Sequence, residues 1–386
     1  MASTSPTRRS SIFGEQRMTS FDFQPRTRVV FGVGAIRRLG DLVSELGCSR
    51  ALLVSDPGVI AAGHPGEAVS LLNLAGIETF LFGGVEANPT TEHVNAGLAF
   101  AKKHDIDIII GLGGGSSLDC ARGVNFLLTN GGQMADYWGV GKATKPMLPF
   151  ISIPTTAGTG SEAQSYALIT DPATHRKMAC GDPKAAAAIA VLDPELTLTQ
   201  PQNVTAATGI DAVVHSLETL VATKRNPISE VFSQRAWQLL SANFPRVLSE
   251  PADMDARSGM LLGAHFAGAA IENSMLGAAH ACANPLTARF DMIHGAAVGL
   301  MLPSVIRFNA IDQAGLYSTV GGADTTAEAV ERLMEQAELP PRLSEYGVTE
   351  QDVPQLAEDA AKQWTAQFNP RSLEVDDFVG LYRSVL

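Results

Sequence analysis

Cysteine is scarce in this chain. Cys48, Cys120, Cys180 and Cys282 are spread over 386 residues, with no CxxC pair and no histidine at a zinc-knuckle spacing. That excludes a disulfide-stapled scaffold and a cysteine-based structural zinc site, and a reducing cytoplasm is the expected compartment. Long apolar runs are missing as well. Ala185 to Leu192 is a typical short one, far from the roughly 20 residues that a bilayer-spanning helix needs. Positive charge is outweighed, with 28 Lys and Arg against 40 Asp and Glu and a net charge of −12. Sequence-independent binding to nucleic acid, which needs basic side chains at phosphates, is therefore not expected. A phosphate-bearing cofactor stays open, because backbone N–H groups hold phosphate without any lysine.

What the chain does have is core material. Hydrophobic residues make up 45% and charged residues 18% of 386 positions, enough for two domains at roughly 150 residues each. Residues 1–17 stand apart, with Arg8, Arg9 and Arg17 against Glu15 and no secretory apolar core. Their composition loosely resembles a transit peptide; the expectation is a disordered extension over residues 1–20, with Met18 an alternative start.

From Arg28 onward, short apolar strands alternate with helical stretches. Arg28–Phe31, Ala51–Ser55, Ile77–Phe82, Ile106–Gly111 and Phe150–Pro154 read as strands, and Ala35–Leu46 and Thr91–His104 as amphipathic helices. Strand and helix repeated in this way imply a mainly parallel sheet covered on both faces. After Asp193-Pro194-Glu195 the strand signals end, and Ala- and Leu-rich helical segments follow at Asn203–Ala222, Ser229–Asn243, Met254–Asn273 and Thr326–Glu335. The expected architecture is an α/β domain over 21–197 with a Rossmann-like parallel sheet, then an all-α domain over 198–386.

Two polar turns carry the binding chemistry of the first domain. Gly113, Gly114 and Gly115 with Ser116, Ser117 and Asp119 follow a strand and open a helix. Glycine lets the backbone approach a pyrophosphate, and the helix N-terminus offers free N–H groups and a positive dipole end. This is not the G-x-G-x-x-G fingerprint, and it does not follow the first strand; a merely tight turn is the plainer alternative. The second turn, Thr155, Thr156, Gly158, Thr159, Gly160 and Ser161, follows the strand Phe150–Pro154 and is either an ordinary loop or a cover for the reactive end of a cofactor. Asp56 ends another strand, where an acid bonds a ribose hydroxyl and repels a 2′-phosphate, or else caps a turn.

In the second domain, Asp211 and His215 are four residues apart on a helical stretch, so their side chains share one face. His280 and His294 follow, and a carboxylate with imidazoles suits Zn(II) or Fe(II). His64, His104, His175 and His265 read as ordinary core or surface residues.

Taken in order, these motifs resemble those of the iron-containing (group III) alcohol dehydrogenases, whose wider dehydroquinate synthase-like fold class includes glycerol dehydrogenase. The resemblance runs from about Phe21 to the C-terminus. It rests on Phe31-Gly-x-Gly34, Asn88-Pro89-Thr90, Gly113 to Ser116 with Asp119, Pro154 to Glu162, Asp193-Pro-Glu-Leu, Gly209-x-Asp211-x-x-x-His215, His280 with His294-Gly295, and Asn369-Pro370-Arg371. It implies that Asp211, His215, His280 and His294 ligate one divalent metal, Fe(II) by family with Zn(II) the alternative. It also implies that Gly113 to Ser117 hold the pyrophosphate of NAD, that Thr155, Thr156 and Thr159 line the cofactor cleft, and that Asp56 and Lys177 contact the cofactor.

Three residues depart from the family pattern. Ser117 stands where many members have proline, and Arg122 where many have lysine. Asn284 stands where members of the propanediol oxidoreductase type carry a histidine suspected in proton movement.

The implied activity is reversible, NAD-linked oxidation of a small alcohol or diol to an aldehyde or ketone, in a cytoplasmic homodimer with no nucleic-acid or membrane partner. The alternatives are a hydroxyacid–oxoacid transhydrogenase or zinc polyol dehydrogenase of the same fold and, more distantly, a non-catalytic NAD-sensing or scaffold protein.

Overall fold

The computed structural model describes residues 20–174, 176–313 and 315–386, so His175 and residues 1–19 of the expected extension lie outside the described residues. The chain runs β1 (Arg28–Phe31), α1 (Leu39–Glu45), β2 (Arg50–Val54), α2 (Pro57–Ala61), α3 (His64–Leu74), β3 (Glu78–Phe82), α4 (Thr91–Ala101), β4 (Ile108–Gly113) and α5 (Gly115–Asn130). Then come β5 (Gly139–Val140), β6 (Phe150–Pro154), β7 (Tyr166–Asp171), β8 (Arg176–Gly181) and β9 (Ile189–Leu192). Helices follow: α6 (Gln202–Val221), α7 (Pro227–Ser249), α8 (Met254–Asn273), α9 (Ala278–Phe290), α10 (His294–Ala310), α11 (Ala323–Gln336), α12 (Val353–Ala361) and α13 (Val375–Arg383).

Six strands form a parallel sheet in the order β1-β9-β6-β4-β2-β3. Alternation along β2 shows why it is buried on both faces. Ala51 and Leu53 join a core with Leu39 and Leu42 of α1 and Leu72 of α3, whereas Leu52 and Val54 join a core with Val94 of α4 and Val124 of α5. The winding reverses between β2 and β4: the chain goes outward from β2 to β3, returns to β4, and then proceeds the other way through β6 to β9. A crevice at the carboxyl ends of strands beside such a reversal is where open α/β sheets bind ligands. Asp56 and Gly113 lie on its two sides.

The second half is helical. α6 is buried without interruption from Gly209 to Val221, as expected of a helix enclosed on all sides. Its core includes Ala157, Ala190 and Leu192, so the helical core is continuous with one end of the sheet.

β1 and β6 match the sequence expectation, and the other expected strands are shifted by one or two residues. The glycine segment is reached earlier than expected, because β4 runs on through Gly113. A second sheet, ordered β5-β8-β7, carries no clear sequence signal. β7 and β8 form an antiparallel hairpin whose sequences, YALITD and RKMACG, lack polar–apolar alternation. β9 lies within the Ala-rich stretch from Ala185 to Leu192, too short and too helix-prone in composition to register as a strand.

Candidate metal centre and cofactor cleft

The face of α6 that carries Asp211 and His215 looks toward the start of α9 and the start of α10. The Nε2 atoms of His215, His280 and His294 stand 3.3, 3.8 and 4.0 Å from Asp211 Oδ1. Donors about 2.1 Å from a tetrahedral ion lie roughly 3.4 Å from one another, so the four groups are spaced as a ligand set. Asp211 Oδ1 and His280 Nε2 are buried and have no hydrogen-bond partner. Buried polar atoms are rarely left so, and a divalent cation satisfies both at once. Asp211, His215 and His280 are buried, while His294 keeps 30% of its side chain open to the cleft.

Electrostatics favour a cation here. Burial opposes charge on Asp211, but His215, His280 and His294 together hold its carboxyl well below the usual range. Burial, and the neighbouring imidazoles, push His215 and His294 down toward the neutral form that a ligand needs. His280 goes the other way: burial works against its charge, yet Glu218 and Asp211 draw it up to about 9. Two buried carboxylates thus favour a proton on His280, which a metal ion held by these residues would replace.

The signs give a pH prediction. His280, with its raised pKa, contributes stability that is full below about 6.5 and is lost as pH rises toward about 9. His215 and His294, with lowered pKa values, cost stability as pH falls below about 6.5, where the unfolded chain takes up protons that the folded chain refuses. Metal-free protein is therefore expected to melt highest between about pH 6 and 7, and metal should flatten the alkaline limb. Thermal melts from pH 5.5 to 9, with and without chelator, check this.

Glu218 is the residue that sequence reading passed over. It lies one turn beyond His215 on the same face of α6; its Oε2 is 2.5 Å from His280 Nδ1, and its Oε1 accepts from the N–H of Ala279 at 2.7 Å. That contact fixes the His280 tautomer and turns Nε2 toward Asp211. The heptad spacing of 211 and 218 was the available signal. Glu218→Gln keeps the volume and removes the charge, and it is expected to weaken metal binding about 10- to 100-fold with the fold retained. Chelator competition with circular dichroism on the same samples measures both.

Across the cleft, Gly114 caps α5 with extended backbone, and Gly113 has φ of +152°. The two polar turns touch: a Cβ at Gly115 would stand 2.8 Å from Thr159, Thr156 is the nearest side chain to Gly114, and Thr155 donates its N–H to Gly113 O. Ser116 Oγ accepts from the N–H of Asn88. Asp56 caps α2 through Val59, as one of its two readings expects, and accepts from Ser117 Oγ at 2.9 Å. Lys177 on β8 has its ammonium 3.5 Å from Asn88 Oδ1; desolvation lowers its pKa while Asp119 and Asp211 oppose the shift.

Ser117, Asp119 and Ser161 are buried and bonded within the protein. Asp119 accepts from Ser161 Oγ at 2.7 Å and from Arg122 at 3.1 Å. Arg122, fully buried, also donates to the backbone carbonyls of Ser161, Tyr166 and Ala185, tying α5 to the second turn and to the hairpin. Asn284, one turn after His280, donates to Gln363 at 3.0 Å. Of the remaining histidines, His64 bonds Thr199, His104 stacks on Phe80, and His265 pairs with buried Glu162.

Where the two halves meet, two glycines of the second turn let it approach the helices closely. Gly160, at φ of +59°, abuts α8 so closely that a Cβ there would lie 2.6 Å from Gly268 Cα. A Cβ at Gly158 would lie 2.5 Å from Thr208 Cβ on α6, one turn before Asp211. The turn beside the glycine loop is thus fixed to the helix that carries Asp211.

A family model described as iron-containing alcohol dehydrogenase matches residues 25–194, and one for the C-terminal part of the Fe-containing alcohol dehydrogenase family matches residues 205–386. Alcohol dehydrogenase 4 of Schizosaccharomyces pombe is 35% identical over 367 residues, covering 92% of this chain and 87% of its own length. The NAD-dependent methanol dehydrogenase of Bacillus methanolicus is 32% identical, covering 96% of this chain and 100% of its own. A crystal structure of 1,3-propanediol oxidoreductase matches with a TM-score of 0.91 at 32% identity, over 95% of this chain and 100% of that one. Through both halves, in sequence and in fold, the chain belongs to the iron-containing alcohol dehydrogenase family.

Proposed function

We propose that Asp211, His215, His280 and His294 hold one divalent metal, Fe(II) by family with Zn(II) the alternative, and that beside it the chain reversibly oxidises a small alcohol or diol to an aldehyde or ketone with NAD. The observation that carries this reading is the convergence of three imidazole Nε2 atoms on one unpartnered, buried carboxylate oxygen. When bound, the metal supplies a Lewis acid for the substrate oxygen.

The chain's own groups do the rest. Glu218 orients His280, and partly open His294 marks the side from which substrate enters. Gly113 to Ser117 offer backbone N–H groups and the positive end of α5 to the pyrophosphate. Thr155, Thr156, Thr159 and Ser161 hold the second turn against that loop, and Asp119 anchors it through Ser161. Asp56, at the reversal of winding, meets the ribose and disfavours a 2′-phosphate. Lys177 brings positive charge to the cofactor side. Asn284 places no titratable group one turn after His280, so the alcohol proton leaves by another route. The same reading takes 21–197 as the cofactor-binding half and 198–386 as the metal-binding half, and a homodimer as the assembly. Among the described residues no helix is long and apolar enough to cross a membrane.

The test is NADH formation over short alcohols, diols and hydroxyacids, run anaerobically on chelator-treated protein with Fe(II), Zn(II) or no metal restored. Metal-dependent turnover on one substrate class is expected. Turnover equal with and without metal would overturn the metal assignment. Silence from protein shown to bind both metal and NAD would overturn the dehydrogenase reading.

A further inference from the structure

His280 is the third residue of α9, so the way the first turn of that helix is held sets where the imidazole points. The N-cap, Gly277, has no side chain to satisfy the free N–H groups of that turn. Two residues from elsewhere do so. Glu218 of α6 takes the N–H of Ala279 at 2.7 Å, and Asn369, which follows the short helical turn Trp364–Phe368, takes that of Ala278 at 3.3 Å. A Cβ at Gly277 would stand 3.1 Å from Asn369 Oδ1 and 3.1 Å from Glu218 Oε1, so the glycine leaves room for both acceptors.

Asn369 is buried, and its amide is fully used. Its Nδ2 donates to Asn309 Oδ1 at 2.6 Å and to the carbonyl of Arg371 at 2.7 Å, and its Oδ1 also accepts from Asn309 Nδ2 at 3.3 Å. Both donors and both lone pairs are thereby spent, which leaves the amide one orientation, with its oxygen on α9. Asn309 in turn donates to the hydroxyl of buried Tyr317. The segment also joins all three helices that supply the metal site. Ala278 belongs to α9; Asn309 lies at the end of α10, which His294 begins; and Thr223, two residues past α6, donates its N–H to Phe368 O at 2.8 Å. Arg371 adds a bond to Phe308 O of α10 at 3.0 Å. The motif Asn369-Pro370-Arg371 thus stands behind Glu218 and His280, where the three helices converge.

We propose that Asn369 is a positioning residue of the metal centre. With Glu218 it caps α9 and so fixes the direction of the His280 imidazole, and Asn309 holds its amide in the orientation that this requires. The inference rests on the reading of Asp211, His215, His280 and His294 as metal ligands.

The test uses chelator-treated, full-length protein titrated with Co(II), whose visible bands follow the geometry of its ligands, with Tm and circular dichroism on the same samples. Groups that orient a metal-bound histidine are worth roughly 10- to 100-fold in affinity. Acting through a helix terminus, Asn369→Leu is expected at the lower end: Co(II) binding about 10-fold weaker, with shifted bands. It also leaves Asn309 Oδ1 without its donor, so Tm should fall. Adding Asn309→Leu removes that unpaired group and should return part of the Tm but none of the affinity. Affinity that recovers together with Tm, or parent-like affinity and bands in Asn369→Leu, would show a cap that serves the fold alone and overturn the proposal. Should Asn369→Leu fail to fold, Asn309→Leu by itself decides: about threefold weaker binding with the same band shift is expected, and unchanged bands overturn the proposal. A parent protein that binds no Co(II) would instead overturn the metal reading, and this inference with it.

Discussion

Replacing His280 by alanine should abolish stoichiometric metal binding and lower kcat/KM for alcohol oxidation by roughly 10³-fold or more. Lewis-acid stabilisation of a developing alkoxide is worth several kcal/mol, and each 1.36 kcal/mol is about tenfold in rate. The effect is larger than loss of one contact, because His280 sits between two carboxylates: Glu218 on its Nδ1 and Asp211 facing its Nε2. Removing the imidazole leaves both acids buried with less positive charge to face, so the site gains protons instead of metal. Asp211→Asn should lose metal as well, although it keeps the shape of the site, since the oxygen on which three Nε2 atoms converge then carries no charge. Elemental analysis of metal content, steady-state kinetics and circular dichroism on the same preparations separate loss of the ion from loss of the fold. Full activity of the His280 variant in chelator would show that the metal assignment is wrong.

The second large effect is expected from a single methyl group. Gly295 follows His294 at the start of α10 and lies against α6, where a Cβ would come within 1.8 Å of Ala207 O and 2.7 Å of Ala207 C. These are backbone atoms inside a helix and cannot yield unless the helix does. Gly295→Ala should therefore cost about 3 kcal/mol or more, seen as a Tm lower by roughly 4 °C or more in a chain of this length. It should also push the N-terminus of α10 away from α6, carrying His294 off its 4.0 Å approach to Asp211 and weakening metal binding in the protein that remains folded. Gly299→Ala, one turn later, is the control. Its Cβ would meet Met334 Sδ at 2.5 Å and Ile210 Cγ1 at 2.7 Å, ends of side chains that can shift, so a smaller drop with unchanged metal affinity is expected. Equal losses in the two variants would remove the backbone argument.

Much of the site is legible in the sequence, and the reason is local. Asp211 and His215 share a helix, so four-residue spacing is enough to place them on one face. The glycine segment reads as a turn because only a tight strand-to-helix junction asks for three glycines in succession. His280 and His294 are different: they lie on separate helices, and no spacing rule brings them to α6, so their roles came from the family resemblance. Glu218 was within reach of the same helical reasoning but is silent until His280 is known to stand opposite. Arg122 could not have been read at all, since its partners are backbone carbonyls of Ser161, Tyr166 and Ala185, which the sequence does not advertise. In the fold, strands with β-branched or alternating residues declared themselves. The Ala-rich β9 and the hairpin of β7 and β8 did not, because their strand state depends on tertiary neighbours and not on local preference.

The contact of Gly160 with Gly268 also bears on how the enzyme breathes. Main chain pressed on main chain has no rotamers to rearrange, so the two segments cannot slide past each other by the small side-chain adjustments that permit shear. The second polar turn and α8 must then travel as one body. Opening of the cleft cannot separate these two segments and must be taken up elsewhere in the chain. Asp211, one helical turn beyond the Thr208 that packs on the same polar turn, would keep its place relative to that turn while the cleft opens.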